Sequence, residues 1–361
     1  MAGTRRKVTA PQTYDLSCVA HVHSTYSDGT ATVPEIIEAA REASRDAVLL
    51  TDHDTLGAKR DGWEGWHDGI LVLVGVEISP RGGHYLAFDL DEEVDRETVP
   101  EDEIPKAVVS AGGFGIVAHP FSQGSAMSKV IAPPHGWRQL RDPAITGIEI
   151  WSLATDSAES WRTPLEALRF LRDPETDLVD PPPGNLESWD ALMAERPVVA
   201  IGGLDAHQKG VRIRGQVRSP MPNREWFRML GTHLLLESEP TGDVERDRDL
   251  VYGALQHGRC YVSRDSLGDP RGFDFWAESD GRRHAMGEEA VGSEWTLRAR
   301  LPRPAKIEIV RSGETVARIQ GDSVVEAARE PGTYRLVARV EARGASRTWI
   351  ISNAIHVRGT G

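Results

Sequence analysis

Short, continuously apolar segments recur along this chain, and one after another ends on a histidine or a carboxylate. Leu16–Ala20 runs into His21-Val22-His23, and Ala47–Leu50 into Thr51-Asp52-His53. Ile70–Val76 runs into Glu77, Gly115–Ala118 into His119, and Val198–Leu204 into Asp205-Ala206-His207. Apolar runs without alternation mark strands buried on both faces. Helix signals lie between them. Thr32-Val33-Pro34-Glu35 and Thr163-Pro164-Leu165-Glu166 both read as an N-cap, an early proline and a capping-box glutamate. Further helices are predicted over Glu101–Ala111, Leu186–Glu195 and Asp243–His257, the last closed by Gly258, with Asp180–Gly184 as a rigid loop. Strand, loop and helix in repetition give an α/β class with a parallel sheet.

Alternation along the first strand places Val19, His21 and His23 on one face and Cys18 and Ala20 on the other. Two imidazoles on one face, with Asp28 just beyond, form a metal grip. In parallel α/β barrels the functional groups gather at the C-terminal ends of the strands, and the remaining candidates fall there. They are His53, Glu77, His119, Asp205 and His207, with His84 at the head of the strand that follows the Gly82-Gly83 turn. Nine nitrogen and oxygen ligands exceed what a mononuclear site uses. Two to three divalent ions sharing a bridging carboxylate fit the count, and ligation without cysteine suits Zn, Mn or Fe. Such ions bring the pKa of bound water toward neutrality and polarise a phosphoryl or carbonyl oxygen. Asp205 or His207 would then move the proton as the catalytic pair.

Glu149, ending the strand Gly147–Trp151, is a candidate ligand or a support for one, and Asp52 and Asp54 are candidates to orient His53 or its loop. His233 stands where it could reach the site mouth, and Trp137, Trp151 and Trp161 are candidates for an aromatic wall. Arg162, Arg212 and Arg214 lie near site loops, where an anionic ester would need contacts, but read rather as surface charge. His67, His135, His257, His284 and His356 read as surface or structural residues.

A formal charge of −13 lacks the basic footprint of a nucleic-acid clamp, while bound cations would still admit a small anionic ester as the substrate partner. No apolar run approaches a membrane span, and Arg5-Arg6-Lys7 is not followed by the apolar core of a secretory signal. Two cysteines, Cys18 and Cys260, exclude a disulfide framework and make a cytoplasmic location the expectation. Residues 1–14 read as a polar tail and 15–267 as the α/β unit. Within 268–361, five short strands over Gly272–Ala277, Glu294–Arg300, Lys306–Arg311, Gly332–Val340 and Arg347–Val357 suggest a small antiparallel β-sandwich. The oligomeric state stays open.

The motifs His21-Val22-His23 with Ser27-Asp28-Gly29, Thr51-Asp52-His53, Gly75-Val76-Glu77, Ala118-His119-Pro120 and Gly203-Leu204-Asp205-Ala206-His207 resemble those of the polymerase and histidinol phosphatase (PHP) superfamily of metal-dependent phosphoesterases. The resemblance implies a distorted (β/α)7 barrel. It also implies one ion on His21, His23, Glu77 and Asp205, a second on Glu77, His84 and His119, and a third on Asp28, His53 and His207. Many members carry histidine at the position of Asp28. The segment Gly253–Ser263 and the trailing strands are most similar to the carbaryl-hydrolase-like (CehA/McbA) branch, which includes carbamate hydrolases. The resemblance therefore leaves a phosphoesterase first, an aryl carbamate or ester hydrolase second, and a metal-stabilised binding protein third.

Overall fold

The computed structural model describes residues 13–127 and 133–360. Most of the expected tail 1–14 lies outside the described residues. Strand β1 (Tyr14–Val22) begins the fold and is buried from Leu16 on. Helix α1 (Val33–Glu42) starts where Thr32 N donates to Glu35 Oε2 at 2.8 Å. Strand β2 (Ala47–Leu50), the one-turn α2 (Gly57–Arg60), β3 (Gly65–His67) and β4 (Ile70–Val74) follow. At Gly75 a Cβ would lie 2.6 Å from Ala87 O, so only glycine lets β4 pass into β5 (Val76–Ile78) this close to the returning β6 (His84–Phe88).

Next come α3 (Ile104–Ser110), β7 (Phe114–Ala118), β8 (Gly147–Ser152), α4 (Leu153–Ser160), α5 (Pro164–Arg172), α6 (Pro174–Asp177), α7 (Pro183–Met193) and β9 (Val199–Gly203). The second capping box holds: Glu166 N donates to Thr163 Oγ1 at 3.3 Å. A hairpin of β10 (Val211–Ile213) and β11 (Gln216–Arg218) precedes α8 (Asn223–Met229), β12 (Gly231–Leu236), α9 (Val244–Gln256) and β13 (Cys260–Ser263). Asp243 Oδ1 caps α9 through Arg246 N, and Gly258 ends it at φ +67°.

Strands β1, β2 and β4 are parallel, and β12 flanks β1 antiparallel. A second sheet runs β5-β6-β7-β8-β9. Two backbone seams join the sheets. Glu77 N donates to Asp52 O (3.1 Å) and Asp54 N to Glu77 O (3.0 Å); on the other side, Leu204 N donates to Ala20 O (2.9 Å) and His23 N to Ala206 O (2.9 Å). One apolar cluster holds Cys18, Ala20, Leu49, Leu73, Ile116 and Ile201 together with Val251 and Leu255 of α9. Another holds Val19, Val48, Val72, Val117 and Ile148 against α1 and α3. Strands buried on both faces explain the unbroken apolar runs of the sequence.

Several expectations need correction. The sheet is mixed, because β6 pairs antiparallel with β5 and β7, and β12 and β13 are antiparallel as well. The alternation in β1 breaks at His21, whose φ is +62°. Cys18 and Ala20 face one cluster and Val19 and Val22 the other, so two residues rather than one separate Val19 from Val22. The left-handed residue inserts a step, as in a β-bulge, and puts His21 and His23 over the Cys18–Ala20 side. The Asp180–Gly184 loop is shorter than expected, since Pro183 already begins α7.

The C-terminal strands are β14 (Asp274–Ser279), β15 (Arg282–Ala285), β16 (Glu289–Gly292), β17 (Trp295–Arg311), β18 (Glu314–Ala328), β19 (Gly332–Ala342), β20 (Ala345–Ser352) and β21 (Ile355–Gly359). Their pairings are antiparallel except β16 with β21. Two expected strands are one, β17. Its pairing with β18 shifts register between Arg300 and Ala305, and that irregularity absorbs Pro302 and Pro304. Through the antiparallel pair β13–β20 these strands continue the sheet that carries β1.

His233 is no mouth residue. Strand β12 runs antiparallel to β1 and sets His233 opposite Ser17, well below His21. There it is buried, with Nδ1 2.8 Å from Asp15 and Nε2 3.1 Å from Asp265, and stacks on Tyr261 at 4.8 Å. Burial alone would lower its pKa, but Asp265 and Asp15 raise it to about 9. A folded-state pKa above the unfolded 6.5 contributes stability that is complete below pH 6.5 and lost as pH rises through about 9. The urea midpoint is therefore expected to fall between pH 7 and 10, and to fall less in His233→Asn. Equal slopes in the two proteins would count against it.

Candidate metal centre

All nine expected ligands meet at one end of the strands. Glu77, on β5 and fully buried, sits among five imidazoles. Its Oε2 is 3.2 Å from His21 Nε2, 3.2 Å from His23 Nε2 and 3.1 Å from His53 Nδ1. Its Oε1 is 2.8 Å from His84 Nδ1 and 3.5 Å from His119 Nε2. Asp205 Oδ1 lies 3.5 Å from the Nε2 of both His21 and His23 and 3.4 Å from His207 Nδ1. Asp28 Oδ1 lies 3.0 Å from His207 Nε2 and 3.7 Å from His53 Nε2.

Potential ligand atoms gather within 4.8 Å in four groups: His21-His23-Asp205, His21-Glu77-His119, His53-Glu77-His84 and His23-Asp28-His53-His207. The implied association of His84 with His119 is not among them. Both rings, 5.1 Å apart and edge to face, nonetheless meet the same carboxylate oxygen, Glu77 Oε1, His84 Nδ1 at 2.8 Å and His119 Nε2 at 3.5 Å.

The donor set fits divalent ions. His21 Nε2, both ring nitrogens of His23, and Glu77 Oε2 are buried without hydrogen-bond partners, a costly arrangement unless a cation is shared among them. Burial by itself would lower His21 and His23, yet Glu149, Glu77 and Asp205 hold His21 well above its ordinary value, and Asp205 and Glu77 bring His23 to about 9. Despite burial, His21 and His84 hold Glu77 well below the carboxylate range. The field favours positive charge at these positions. His53, pushed down to about 4 chiefly by burial, presents a neutral imidazole.

The backbone is bent to serve the cluster. His21 (φ +62°), Asp54 (+53°), His119 (+28°) and Asp205 (+51°) lie at positive φ, a cost of about 1–3 kcal/mol each that clusters at functional sites. Glu149, a candidate ligand from sequence, instead orients its neighbours: Oε1 is 2.8 Å from His21 Nδ1, and Oε2 accepts from His119 N at 2.8 Å. A Cβ on Gly203 would lie 1.7 Å from Glu149 Oε1, so the glycine makes room for this carboxylate. Asp52 accepts from Ser24 N, Ser24 Oγ and Ser27 Oγ at 2.6–2.7 Å and so shapes the loop of Asp28, while Asp54 accepts from Ser79 N.

A cavity of about 470 Å³ opens before the cluster, with Asp28, His84 and His207 on one side and Trp161, Met221 and Trp226 on another. Both indoles lean on buried Phe170, at 5.3 and 6.4 Å. Of the three expected wall tryptophans only Trp161 lines this cavity; Trp151 is fully buried and Trp137 packs on Tyr85. Arg212 pairs with Glu35.

Sequence reasoning missed three neighbours. His135 lines the cavity with its ring 4.3 Å from His84, which corrects its reading as a surface or structural residue. Its Pro-Pro-His-Gly loop follows no strand and gives no spacing signal. Ser79 Oγ lies 2.7 Å from His53 Nδ1, and Thr155 Oγ1 donates to Asp205 Oδ2 at 3.0 Å. Thr155 belongs to α4, a helix the sequence did not announce.

Six of the converging residues, His21, His23, Asp28, His53, Glu77 and His84, fall within one matched segment. Residues 20–109 match the PHP domain. An uncharacterized protein of Methanocaldococcus jannaschii is 28% identical over 115 residues, covering 28% of this chain and 66% of that protein. The phosphoribosyl 1,2-cyclic phosphate 1,2-diphosphodiesterase of Eggerthella lenta is 33% identical over 79 residues, 20% of this chain and 30% of that one. The PHP-matching chain thus spans less than two thirds of either curated relative. Among solved structures, a two-domain Bacteroides vulgatus protein containing a predicted PHP-like metal-dependent phosphoesterase covers 98% of this chain and 100% of its own, at 16% identity and TM-score 0.40. An amidohydrolase from Chromobacterium violaceum covers 57% and 92%, at 15% identity and TM-score 0.33. Among the described residues no helix is long and apolar enough to cross a membrane.

Proposed function

We propose that this chain is a metal-dependent phosphoesterase of small anionic esters, built on a distorted seven-stranded barrel. The observation that carries the reading is Glu77, buried among five imidazoles, with its Oε2 and the facing Nε2 atoms of His21 and His23 left without hydrogen-bond partners. His21, His23, Glu77 and Asp205 would hold one divalent ion, Glu77, His84 and His119 a second, and Asp28, His53 and His207 a third, with Zn, Mn or Fe suited to the donors. Bound there, such ions supply Lewis acidity toward a phosphoryl oxygen and make water acidic enough to react near neutral pH.

The chain's own groups do the rest. Glu149, Ser79 and Thr155 fix the orientation of His21, His53 and Asp205. Asp205 and His207 line the cavity and are placed to hold or move a proton. Trp161 and Trp226 shield the organic part of the substrate from water. That aromatic wall also supports a second reading, hydrolysis of an aryl carbamate or ester at the same centre.

The test is elemental analysis beside Asp205→Ala, followed by turnover of p-nitrophenyl phosphate and of a naphthyl carbamate. Roughly two to three equivalents of metal, lost in the variant, with phosphatase activity, is the expected result. Carbamate turnover alone would favour the second reading. Less than about one equivalent, unmoved by the variant, would leave a binding protein. His119→Ala is expected to lower turnover roughly a hundredfold with an unchanged circular dichroism spectrum. Wild-type rates would remove His119 from the centre.

A further inference from the structure

Asp28 differs from Glu77 and Asp205 in being half exposed and in sharing its carboxylate with a lysine. While Oδ1 faces His207 and His53, Oδ2 lies 2.6 Å from Lys209 Nζ, which also donates to Asp28 O at 2.9 Å. The backbone that carries them joins the two loops. Thr30 N donates to His207 O at 3.0 Å and Thr30 Oγ1 to Gln208 O, so the loop after Asp205 is tied to the loop after His23. Asp52 braces the latter from beneath. Lys209 is therefore held beside Asp28 by two joined loops.

An ammonium and a divalent cation cannot both take full advantage of one carboxylate. Their mutual repulsion at contact distances is large, and partial exposure reduces it without removing it. Among the described residues, the ion-pair partners of Glu77 and Asp205 are imidazoles, the groups that would themselves become ligands.

We propose that Lys209 competes with a divalent ion for Asp28, so that the Asp28-His53-His207 corner is a weak, exchangeable cation site beside a tightly held pair. The proposal rests on the metal-dependent reading above. In this chain the lysine sets how many ions the centre keeps at low metal concentration.

Equilibrium dialysis against graded Mn²⁺, with bound metal counted by elemental analysis, tests it on the full chain. Wild type is expected to hold two equivalents tightly and a third weakly. Lys209→Met should tighten the third roughly tenfold or more, and Lys209→Arg, which keeps the charge, should match wild type. Three equivalents of equal affinity in wild type, or an unchanged third equivalent in Lys209→Met, would overturn the proposal while leaving the metal centre standing. No stoichiometric metal in wild type, indistinguishable from Asp205→Ala, would overturn both.

Discussion

Glu77→Gln is expected to strip the protein of most of its bound metal and to lower turnover on the order of a thousandfold. Among the described residues, its carboxylate lies within 3.5 Å of five histidines, Oε2 facing His21, His23 and His53 and Oε1 facing His84 and His119. The amide keeps the shape but withdraws the charge that holds His21, His23 and His119 positive-seeking, and presents one of its positions as a donor toward imidazole nitrogens. Glu77→Asp keeps the charge and shortens the reach, and it is expected to retain part of the metal. Elemental analysis and kcat on the same preparations decide the matter. A Gln variant with full metal content would remove Glu77 from the centre of the site.

The largest effect on stability is expected away from the cavity, at Arg335. On β19 it forms a two-pronged pair with Asp190 of α7, Nε to Oδ1 at 2.7 Å and Nη2 to Oδ2 at 2.6 Å, with both residues buried. Arg335→Ala leaves a buried carboxylate without its partner and is expected to cost about 3–5 kcal/mol in urea unfolding. Asp190→Leu with Arg335→Met removes both charges and is expected to recover most of that loss. If the double variant is as unstable as the sum of the single changes, the stacking of the Arg335 guanidinium over the Trp189 ring, 5.5 Å from its centroid, is the larger contribution.

The parts of the fold that were legible in the sequence are those where one local signal suffices. Continuous apolar runs located β1, β2, β4, β7, β8 and β9, and the capping boxes at Thr32 and Thr163 placed α1 and α5. The nine candidate ligands were legible because each closes such a run or sits at a turn beside one. Direction was not legible: β6 has the same apolar texture as its neighbours, and only pairing reveals that it runs the other way. Strand β18 escaped because its residues alternate between exposed and partly buried, with a charged or polar side chain at most outward positions. The left-handed turn at His21 escaped because a histidine, unlike a glycine, carries no mark of positive φ. His135 and Thr155 act through tertiary proximity alone, and no spacing within the chain foretells them.

The pairing of β13 with β20 has a consequence for modularity. A gene fragment ending near residue 268 would encode every converging histidine, yet it would strip β20 from β13 and leave that apolar strand as a bare edge, paired with β12 on one side only. Asn353 lies on the far side of that cut, where it bonds Ala200 N at 2.8 Å and Ala200 O at 2.9 Å, the strand that delivers Asp205 and His207. The trailing strands therefore behave as part of the scaffold, and recombination that exchanged them as a cassette would disturb the alignment of the very loops it left intact. Insertions that preserve function are more readily accommodated at the β10–β11 hairpin tip, where Arg214 and Gly215 already form a solvent-facing turn.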